Sequence, residues 1–516
     1  MSVFSRLHPL LQDKIVHRLG WTGLREVQDL AGEAIIDKNN CVILASPTGG
    51  KTEAAFFPVI SELLNRNTPG LKVLYVCPIK ALLNNQEERL ALYTEMVGLS
   101  SFKWHGDVKQ NKRQQFLKEP AEILLTTPES LEVMLISPKV GSKVLFKTIE
   151  YDIIDEIHAF AACDRGGHLL SVLERIRSFA DTDFQRIGLS ATVGNPEGIL
   201  DWMQGSSERK KVMVDPPKRV SKKEIHIYYD EEDNMAAVIS KEAQGIKSLF
   251  FCESRGFAEK VGKRLGHLGV KSFVHHSSLS FEERARAERN FSQGGNACIT
   301  CTSTLELGID IGDLDKIFQA ECPSTVASFL QRLGRTGRRP NTVSNTTFYT
   351  TNIQTLLQTI ALVELARSNW VEDIKPSSRA WHLLVHQIMA LCLQNGGAYR
   401  NYIKDIIFKA KCFSSITEAE FHNLIEHLLK EAFLFEADGY LSMGERAEKI
   451  FGRKNFMEMY SVFSTPELFT VFTLGGVELG TLEHEFVENL LEKNSSFLLS
   501  GRAWILERIE WKKKHV

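Results

Sequence analysis

The sequence predicts an α/β protein with two tandem parallel-sheet domains, followed by a winged helix and a short β-rich segment. Short β-rich runs alternate with amphipathic helical stretches from about residue 30 to residue 350, as in parallel sheets that helices cover on both faces. The polar stretch 205–211 and the following Pro216-Pro217 interrupt this alternation. We therefore expect two α/β domains in series, with ligands at the carboxyl ends of their strands.

The strand candidates are short runs rich in apolar and β-branched residues. Five precede the interruption and four follow it. They are residues 41–45, 72–77, 122–126, 149–154 and 186–189 in the first series, and 248–252, 271–274, 297–301 and 316–319 in the second.

The sequence pattern changes near Pro376. Thr417 and Glu420 form a capping box before an amphipathic helix. Asp438-Gly439 then separates two short β-rich runs, which is typical of a hairpin. Helices followed by such a hairpin predict a winged helix. The chain is β-rich again from about residue 460, and we expect its last strand-like run at residues 496–511.

The composition is that of an ordinary globular protein. The 516 residues are 43% hydrophobic and 24% charged, which is enough material for three or four domains. The net charge of −2 gives no global basic signature, so any nucleic-acid site must be a local groove. No apolar run reaches the roughly 18–20 residues that a bilayer-spanning helix needs.

The nine cysteines form no disulfide or zinc framework. The one close pair, Cys298 and Cys301, lacks a second pair at zinc-site spacing and lies in a predicted buried strand. We interpret it as two core thiols rather than a metal or redox site. An odd number of cysteines without a signal peptide favours a reducing, cytoplasmic location.

A phosphate-binding loop follows the first predicted strand. The run Ala45-Ser-Pro-Thr-Gly-Gly-Lys-Thr52 opens a helix, and Thr48, Gly49 and Gly50 bring backbone N–H groups close to phosphate oxygens. Lys51 is expected to reach the β- and γ-phosphates, and the Thr52 hydroxyl is expected to ligate Mg²⁺. The alternative is an ordinary glycine-rich turn.

Two adjacent carboxylates end the strand at residues 149–154. Asp155 is expected to hold Mg²⁺, and Glu156 to orient or deprotonate the attacking water. His158 completes a DExH tetrad. The loop and the tetrad, in this order, predict an ATP site with Mg²⁺ at a motor-type domain.

An arginine-rich run in the second domain can supply positive charge to phosphoryl transfer. It spans residues 331–338 and holds Gln331, Arg335 and Arg338, and the spacing predicts both arginines on one helical turn. An arginine finger is worth roughly 10³–10⁵ in rate. Because these residues belong to the second domain, we expect hydrolysis to depend on domain closure. A solvated arginine-rich helix end is the alternative.

Upstream of the loop, the Gln28 amide could pair with the edge of adenine, and Trp21 could stack on the base. A helix-face glutamine and a core tryptophan would give the same pattern, so both alternatives stay open.

These motifs, taken in order, resemble the superfamily 2 DExH-box helicases, and within them the large helicase-related (Lhr-like) group. The resemblance rests on the motifs above and on residues 75–82, 126–132, 164–169, 190–192 and 302–310. It implies two RecA-like domains and an ATP-dependent helicase or translocase that moves 3′ to 5′ on single-stranded DNA. It also places Gly308 and Asp310 at the nucleotide.

By the same resemblance, backbone-binding residues grip one nucleic-acid strand. They are Pro78, Lys80, Thr127, Pro128 and Ser130 in the first domain, and Arg255, Ser277, Thr302 and Thr304 in the second. Such contacts carry no sequence information, so low sequence specificity is expected. For each hydroxyl alone, a cap or turn hydrogen bond is the alternative.

A second set of residues is expected to relay the state of the γ-phosphate. Ser190 and Thr192 lie in the Ser-Ala-Thr motif, and His158 could bond either that motif or Gln331. The relay would couple hydrolysis to movement along the strand.

We place the domain boundaries at residues 1–205, 206–350, 351–455 and 456–516. The family's core continues beyond the length of this sequence, so we expect either a short member or a truncated chain. The sequence thus departs from the family's pattern in two respects. In the phosphate loop, Thr48-Gly49 directly precedes Gly50-Lys51, and the sequence is shorter than the family's core.

Two rival functions use the same residues. The first is an RNA or RNA–DNA hybrid helicase with the same ATPase. The second is an ATP-switched clamp or remodeller that binds nucleic acid without processive unwinding.

Overall fold

The computed structural model describes residues 2–45, 49–66, 68–217, 222–230, 232–293, 295–306, 312–337, 342–451, 468–492 and 496–516. The chain divides into two compact units, and each unit combines segments that are distant in sequence. The first includes Met1–Ala45, Gly49–Pro217 and Asp373–Ser464. The second includes Lys218–Glu372 and Thr465–Val516.

The first unit contains a sheet of seven parallel strands. The strands are β1 (Asn40–Leu44), β2 (Val73–Val76), β3 (Ser101–Trp104), β4 (Ile123–Thr126), β5 (Tyr151–Ile154), β6 (Gln185–Ser190) and β7 (Lys211–Val214). Their order in the sheet is β3-β4-β2-β5-β6-β1-β7. Five of them, β1, β2, β4, β5 and β6, are buried along their whole length, which is why the sequence predicts these five strands.

Ten helices accompany this sheet within the described residues. They are α1 (Pro9–His17), α2 (Glu26–Ile36), α3 (Lys51–Arg66), α4 (Lys80–Glu95), α5 (Gln110–Lys118), α6 (Pro128–Ile136), α7 (Ser142–Leu145), α8 (Ile157–Ala161), α9 (Asp164–Arg177) and α10 (Pro196–Gln204). Strand β7 pairs with β1, with Cys41 opposite Val212. The first sheet therefore extends past residue 205, where the composition break suggested a boundary.

The second unit contains a sheet of six parallel strands. The strands are β8 (Lys223–Tyr229), β9 (Lys247–Phe251), β10 (Ser272–His275), β11 (Ala297–Cys301), β12 (Lys316–Ala320) and β13 (Ser344–Thr350). Their order is β10-β11-β9-β12-β13-β8. The helices are α11 (Glu232–Glu242), α12 (Arg255–His267), α13 (Phe281–Gln293), α14 (Val326–Leu333) and α15 (Ile353–Arg367).

Strands β8 and β13 were not predicted, because their residues are largely polar or partly exposed. Helix α15 packs on this sheet, where Leu362 and Val363 share a core cluster with Phe348 of β13. Cys298 and Cys301 are both buried in β11, which confirms them as core thiols.

The winged helix was predicted correctly. Its elements are α16 (Trp381–Asn395), β14 (Ala398–Tyr399), α17 (Arg400–Ile407), α18 (Glu418–Lys430), β15 (Leu434–Ala437), β16 (Tyr440–Met443) and α19 (Glu445–Phe451). Thr417 and Glu420 form the expected capping box at α18, and β15 and β16 form the expected antiparallel hairpin. The winged helix and the first sheet share one apolar core cluster.

The C-terminal residues form two antiparallel pairs and a helix. The elements are β17 (Leu468–Phe472), β18 (Glu478–Glu483), α20 (His484–Glu492), β19 (Ser496–Leu499) and β20 (Arg502–Ile505). The single strand expected at residues 496–511 is wrong, because Ser500 and Gly501 take positive φ angles of 58° and 72° and turn the chain into a hairpin. Residues of β17 to β19 complete a core cluster with α12 and β9 to β13.

No helix within the described ranges is both long and apolar enough to cross a membrane.

Gly205 follows the last residue of α10 and lies beside a buried ion pair. The Arg186 guanidinium donates to the Glu174 carboxylate at 2.8 Å, and both side chains are 0% exposed. Gly205 has a φ of 52°, and a Cβ there would lie 2.0 Å from Glu174 Oε1 and 2.4 Å from Arg186 Nη1. A larger residue would therefore push the two buried charges apart.

We predict that Gly205→Ala destabilises the first unit more than Gly98→Ala does. Gly98 also has a positive φ, of 80°, but a Cβ there meets no atom within 4 Å. The control should cost about 1–2 kcal/mol for the left-handed backbone, and Gly205→Ala about 3–5 kcal/mol more from the broken buried pair. Urea unfolding followed by tryptophan fluorescence measures both, and equal losses would contradict the prediction.

Candidate nucleotide and nucleic-acid sites

The predicted nucleotide residues of the first unit lie at the carboxyl ends of three adjacent strands. Gly49 to Thr52 follow β1, Asp155 and Glu156 follow β5, and Ser190 ends β6. These strands are neighbours in the order β5-β6-β1. Parallel pairing therefore gathers three distant segments of the sequence at one edge. Thr48 lies outside the described residues.

Gly50 is needed for the shape of the phosphate loop. Its φ is 86°, and a Cβ would lie 2.7 Å from the Nε2 atom of Gln28. Helix α3 begins at the next residue, Lys51. The loop therefore presents a helix N-terminus, where N–H groups and the helix dipole favour an anion.

Lys51 is a buried cation near the Glu156 carboxylate. Its side chain is 7% exposed, and its Nζ atom lies 3.6 Å from Glu156 Oε2. Among the described residues, Nζ has no hydrogen-bond acceptor. A buried ammonium group without acceptors is costly, and phosphate oxygens would satisfy it.

The Asp155 carboxylate is held in place by two donors. Tyr75 donates its hydroxyl to Oδ2 at 2.9 Å, and the Glu156 N–H donates to Oδ1 at 3.0 Å. Burial, and then the neighbouring Glu156 carboxylate, raise the pKa of Asp155, against the lowering effect of Lys51 and Tyr75. A bound cation would favour the ionised form.

The residues fit Mg²⁺ in both donor type and position. Tyr75 donates its hydroxyl to Asp155, and the neighbouring Thr52 side chain lowers the pKa of the same hydroxyl, so the Thr52 hydroxyl and the Asp155 carboxylate both lie near Tyr75. Both offer hard oxygen donors, which Mg²⁺ prefers. Glu156 has a left-handed backbone, with φ of 48°, a conformation that non-glycine residues rarely adopt.

Gln28 lies in α2, 2% exposed, beside the phosphate loop. Its Oε1 accepts a hydrogen bond from the Arg25 N–H at 2.8 Å. Its Nε2 has no acceptor within the described part of the chain. Trp21, in contrast, packs on Phe57 with ring centroids 5.5 Å apart, which supports the core alternative for this residue.

His158 links the strand ends of β5 and β6. Its Nδ1 accepts from the Ala191 N–H at 3.2 Å and lies 3.3 Å from Ser190 Oγ. The same atom is 3.6 Å from Glu156 Oε2. Of the two partners considered from the sequence, His158 therefore contacts the Ser-Ala-Thr motif. Thr192 follows β6 and is half-buried.

The arginine-rich run of the second unit differs from the expectation. Helix α14 ends at Leu333, so Arg335 lies after the helix, and the prediction of a shared helical turn with Arg338 is wrong for Arg335. Arg335 is 1% exposed and donates to the Glu306 carbonyl at 2.7 Å. Gln331 is buried on α14. Arg338, Gly308 and Asp310 lie outside the described residues.

The predicted nucleic-acid residues of the first unit lie on the other half of the same sheet edge. Pro78 and Lys80 follow β2, and Thr127, Pro128 and Ser130 follow β4. Lys80 Nζ lies 3.1 Å from Asp107 Oδ1 in the loop after β3. Strands β3, β4 and β2 are neighbours, so the sheet gathers these loops together.

The hydroxyl groups of Thr127 and Ser130 share a hydrogen bond of 3.2 Å at the start of α6. Sequence reasoning missed Arg165, whose Nη1 donates to the Pro78 carbonyl at 2.6 Å. Its position within residues 164–169 of the family resemblance was the available signal.

The second unit repeats this arrangement. Arg255, Ser277 and the pair Thr302 and Thr304 follow β9, β10 and β11, which are adjacent in the order β10-β11-β9. Thr304 Oγ1 lies 2.9 Å from His275 Nδ1. Arg255 donates to Glu483 of β18 at 2.8 Å, so a C-terminal carboxylate occupies one of these predicted contacts.

Three family descriptions match consecutive parts of the chain. The DEAD/DEAH box helicase family matches residues 25–199, and the helicase conserved C-terminal domain matches residues 231–340. The winged-helix domain of the large helicase-related protein matches residues 364–516.

Curated relatives are similar over most of the chain. The ATP-dependent helicase Lhr-Core protein 2 of Thermococcus barophilus is 30% identical over 515 residues, which cover 91% of this chain and 59% of the relative. The ATP-dependent helicase Lhr-Core of Sulfolobus acidocaldarius is 29% identical and is covered to 58%, with 92% of this chain aligned. The chain thus spans less than two thirds of the length of these relatives.

Solved structures agree in fold. The Mycobacterium smegmatis helicase Lhr bound to ssDNA and AMP-PNP matches with a TM-score of 0.79 and 27% identity, covering 92% of this chain and 64% of that chain. The helicase MrfA bound to DNA and AMPPNP matches in fold, with a TM-score of 0.81 and 21% identity. The match covers 99% of this chain and 71% of that chain.

Two RecA-like sheets with their motifs at the strand ends, the Lhr winged helix and these similarities agree with one another. The chain therefore carries the helicase domains of superfamily 2 followed by an Lhr-type winged-helix domain, and it is related to the large helicase-related group.

Proposed function

We propose that this chain is an ATP-driven nucleic-acid helicase or translocase that tracks single-stranded DNA from 3′ to 5′. The observation that carries the proposal is the edge of the first sheet, where a nucleotide half lies beside a nucleic-acid half. The nucleotide half is formed by the ends of β5, β6 and β1, and the other by the ends of β3, β4 and β2. The polarity is proposed from the family resemblance, and the similar Lhr structure bound to ssDNA supports the choice of DNA.

In the proposed reaction, Lys51 and the N-terminus of α3 bind the phosphates of ATP. Thr52 and Asp155 would hold Mg²⁺, which supplies charge neutralisation at the phosphates. Glu156 would position the attacking water and accept its proton. Gln28 would donate its Nε2 to the adenine. Gln331, Arg335 and Arg338 stay assigned to transition-state charge, and Gly308 and Asp310 to the nucleotide, as predictions from the sequence.

His158 is the proposed link between hydrolysis and movement. Its Nδ1 contacts Ala191 and Ser190, and it lies 3.6 Å from the Glu156 carboxylate. A shift of Glu156 on loss of the γ-phosphate would reach the Ser-Ala-Thr motif, Thr192 included, through this imidazole.

Nucleic acid would bind through its backbone at the strand ends of both units. The expected donors are Lys80, Thr127, Ser130, Arg255, Ser277, Thr302 and Thr304. Pro78 and Pro128 shape the loops that carry them. Since contacts to the sugar-phosphate backbone carry no sequence information, binding should be insensitive to sequence.

The first test is ATP hydrolysis without nucleic acid, with single-stranded DNA and with single-stranded RNA. Stimulation by DNA alone supports the proposal, and stimulation by RNA alone favours the rival RNA helicase. Strand displacement on substrates with 3′ or 5′ single-stranded tails then tests polarity. Stimulated hydrolysis without displacement on either substrate would favour the ATP-switched clamp.

We predict that Glu156→Gln lowers DNA-stimulated kcat by at least about 10²-fold, the lower bound for a lost general base, while ATP still binds. The carboxylate that accepts the proton is lost, but Lys51 and the loop remain. Turnover is measured by phosphate release, and binding by fluorescence of a labelled ATP analogue. Glu197→Gln, an exposed position in the first turn of α10, is the control. Wild-type turnover in Glu156→Gln would refute the assignment.

We predict that Lys80→Gln weakens binding of single-stranded DNA equally for all sequences. One lost phosphate contact should lower the slope of log K against log salt by about 0.7. Fluorescence anisotropy at several salt concentrations measures this slope. Lys147→Gln, which removes a similarly exposed lysine before β5 at the opposite edge of the sheet, should leave it unchanged. An unchanged slope in Lys80→Gln would remove Lys80 from the interface.

We predict that His158→Ala preserves most DNA-stimulated hydrolysis but lowers the number of base pairs unwound per ATP several-fold. The variant loses the contact between the β5 and β6 loops but keeps Lys51 and Glu156. Both rates are measured on one tailed duplex, with His17→Ala, at the exposed end of α1, as control. Equal coupling in wild type and variant would show that His158 is not the relay.

A further inference from the structure

Helix α9 (Asp164–Arg177) has no role in the proposed hydrolysis, although its first residues are part of the family resemblance. It contacts the two predicted nucleic-acid loops of the first sheet at one end. It contacts the winged helix at its middle and its other end. All of these contacts lie within the first unit.

At the N-terminal end of α9, one guanidinium joins both loops. Arg165 donates Nη1 to the Pro78 carbonyl at 2.6 Å, in the loop after β2. It donates Nε to Glu129 Oε1 at 2.7 Å, in the first turn of α6 after β4. Burial would raise the pKa of Glu129, but the hydrogen bond and charge of Arg165 lower it. The carboxylate is therefore charged, and the pair is charge-assisted.

In the middle of α9, glycine permits close contact with the winged helix. A Cβ on Gly167 would lie 2.9 Å from Leu383 Cδ1 of α16 and 3.1 Å from the Cβ of Cys412. Ser171, one turn further along, lies with its Oγ 3.7 Å from the Sγ of the same Cys412. The two segments are thus packed with no space for a larger side chain.

A buried polar cluster along α9 joins three helices. His168 Nε2 lies 3.0 Å from Glu132 Oε2 of α6, and Gln387 Nε2 of α16 donates to the same oxygen at 2.9 Å. Arg175 donates to Glu132 Oε1 and, at 3.1 Å, to Gln387 Oε1. Glu132 and Gln387 are 0% exposed, and His168 and Arg175 are 1% exposed.

The charges of this cluster are balanced internally. Burial would raise the pKa of Glu132, but Arg175 and then His168 hold it well below its ordinary range. His386 also contacts the cluster, and burial lowers its pKa to about 4, so its ring is neutral at pH 7.

A metal ion is a weaker interpretation of the same residues. Ligand atoms of Glu132, His168 and His386 all lie within 4.8 Å of one another. Both carboxylate oxygens, however, already accept hydrogen bonds, and Arg175 keeps its positive charge at any accessible pH. A cation at this position would be repelled by the guanidinium.

We propose that α9 is a positioning element that makes the docked winged helix part of the nucleic-acid grip. Arg165 fixes the loops after β2 and β4, and the Glu132–Arg175–Gln387 cluster fixes α6 and α16 to the same helix. Displacing the winged helix would release α6 and its first residues, Pro128 and Ser130. This inference rests on the proposed function, because it assigns those residues to nucleic-acid binding.

The test measures two quantities for each variant. One is the concentration of single-stranded DNA that half-saturates ATP hydrolysis, and the other is kcat at saturating DNA. The variants are Arg165→Gln and the double variant Glu132→Gln/Arg175→Met, which neutralises both buried charges together. Gln387→Leu, which leaves the buried ion pair in place, is the second variant should the double variant not fold. Arg177→Met is the matched control on the same helix, since Arg177 pairs with Asp183 and not with α6 or α16.

We expect the half-saturating DNA concentration to rise about tenfold in Arg165→Gln and in the cluster variants, with saturated kcat within about twofold, as when uniform binding is lost. When Arg165→Gln is combined with a cluster variant, the half-saturating DNA concentration should rise by less than the product of the two separate fold-changes, because both variants act through α9. The control should match wild type.

Failure of the proposed function and failure of the positioning role of α9 give different results. Absence of DNA stimulation in the wild-type protein would remove the proposed function itself. Normal stimulation in wild type, with unchanged half-saturation in a folded cluster variant, would overturn the positioning role alone. One equivalent of tightly bound zinc, measured by elemental analysis, would also overturn it in favour of a metal site.

Discussion

Parallel strand pairing is the constraint on which the sites of this protein depend. In a parallel sheet every strand ends at the same edge, so residues that follow β1, β2, β4, β5 and β6 meet without being close in sequence. The strand order then divides that edge: β5-β6-β1 carries the proposed phosphate loop and the carboxylates, and β3-β4-β2 carries the loops proposed to bind the nucleic-acid backbone. The boundary between the halves lies between β2 and β5, and Tyr75 of β2 reaches across it to Asp155.

Buried charge has two different meanings in the first unit. Around Glu132 both carboxylate oxygens already accept hydrogen bonds from neighbouring side chains. At the phosphate loop, Lys51 and Gln28 retain buried donors without acceptors in the described residues, and the Asp155 carboxyl has a raised pKa. Complete networks favour one conformation, whereas incomplete ones favour a bound ligand.

The sequence was informative where local chemistry decides structure. Buried strands such as β2 and β5 are short apolar runs, the Thr417 capping box is a local pattern, and Asp438-Gly439 fixes a hairpin. Prediction from the sequence failed where long-range packing determines the structure. Strand β8 is polar and partly exposed, yet it pairs with β13 along its whole length, and Arg335 lies after α14, where it donates to the Glu306 carbonyl. The cluster of Glu132, Arg175 and Gln387 joins residues more than 200 positions apart, which no spacing in one sequence reveals.

Each unit is assembled from separated segments, and this sets the order in which a ribosome can complete them. The first sheet emerges before the second, but its winged helix emerges only after all six strands of the second sheet. The second sheet must in turn wait for β17 to β19 to cover its core. Neither unit is complete when its sheet is made, so exposed apolar surface persists during synthesis. The same interleaving means that one proteolytic cut cannot release either unit as an intact piece.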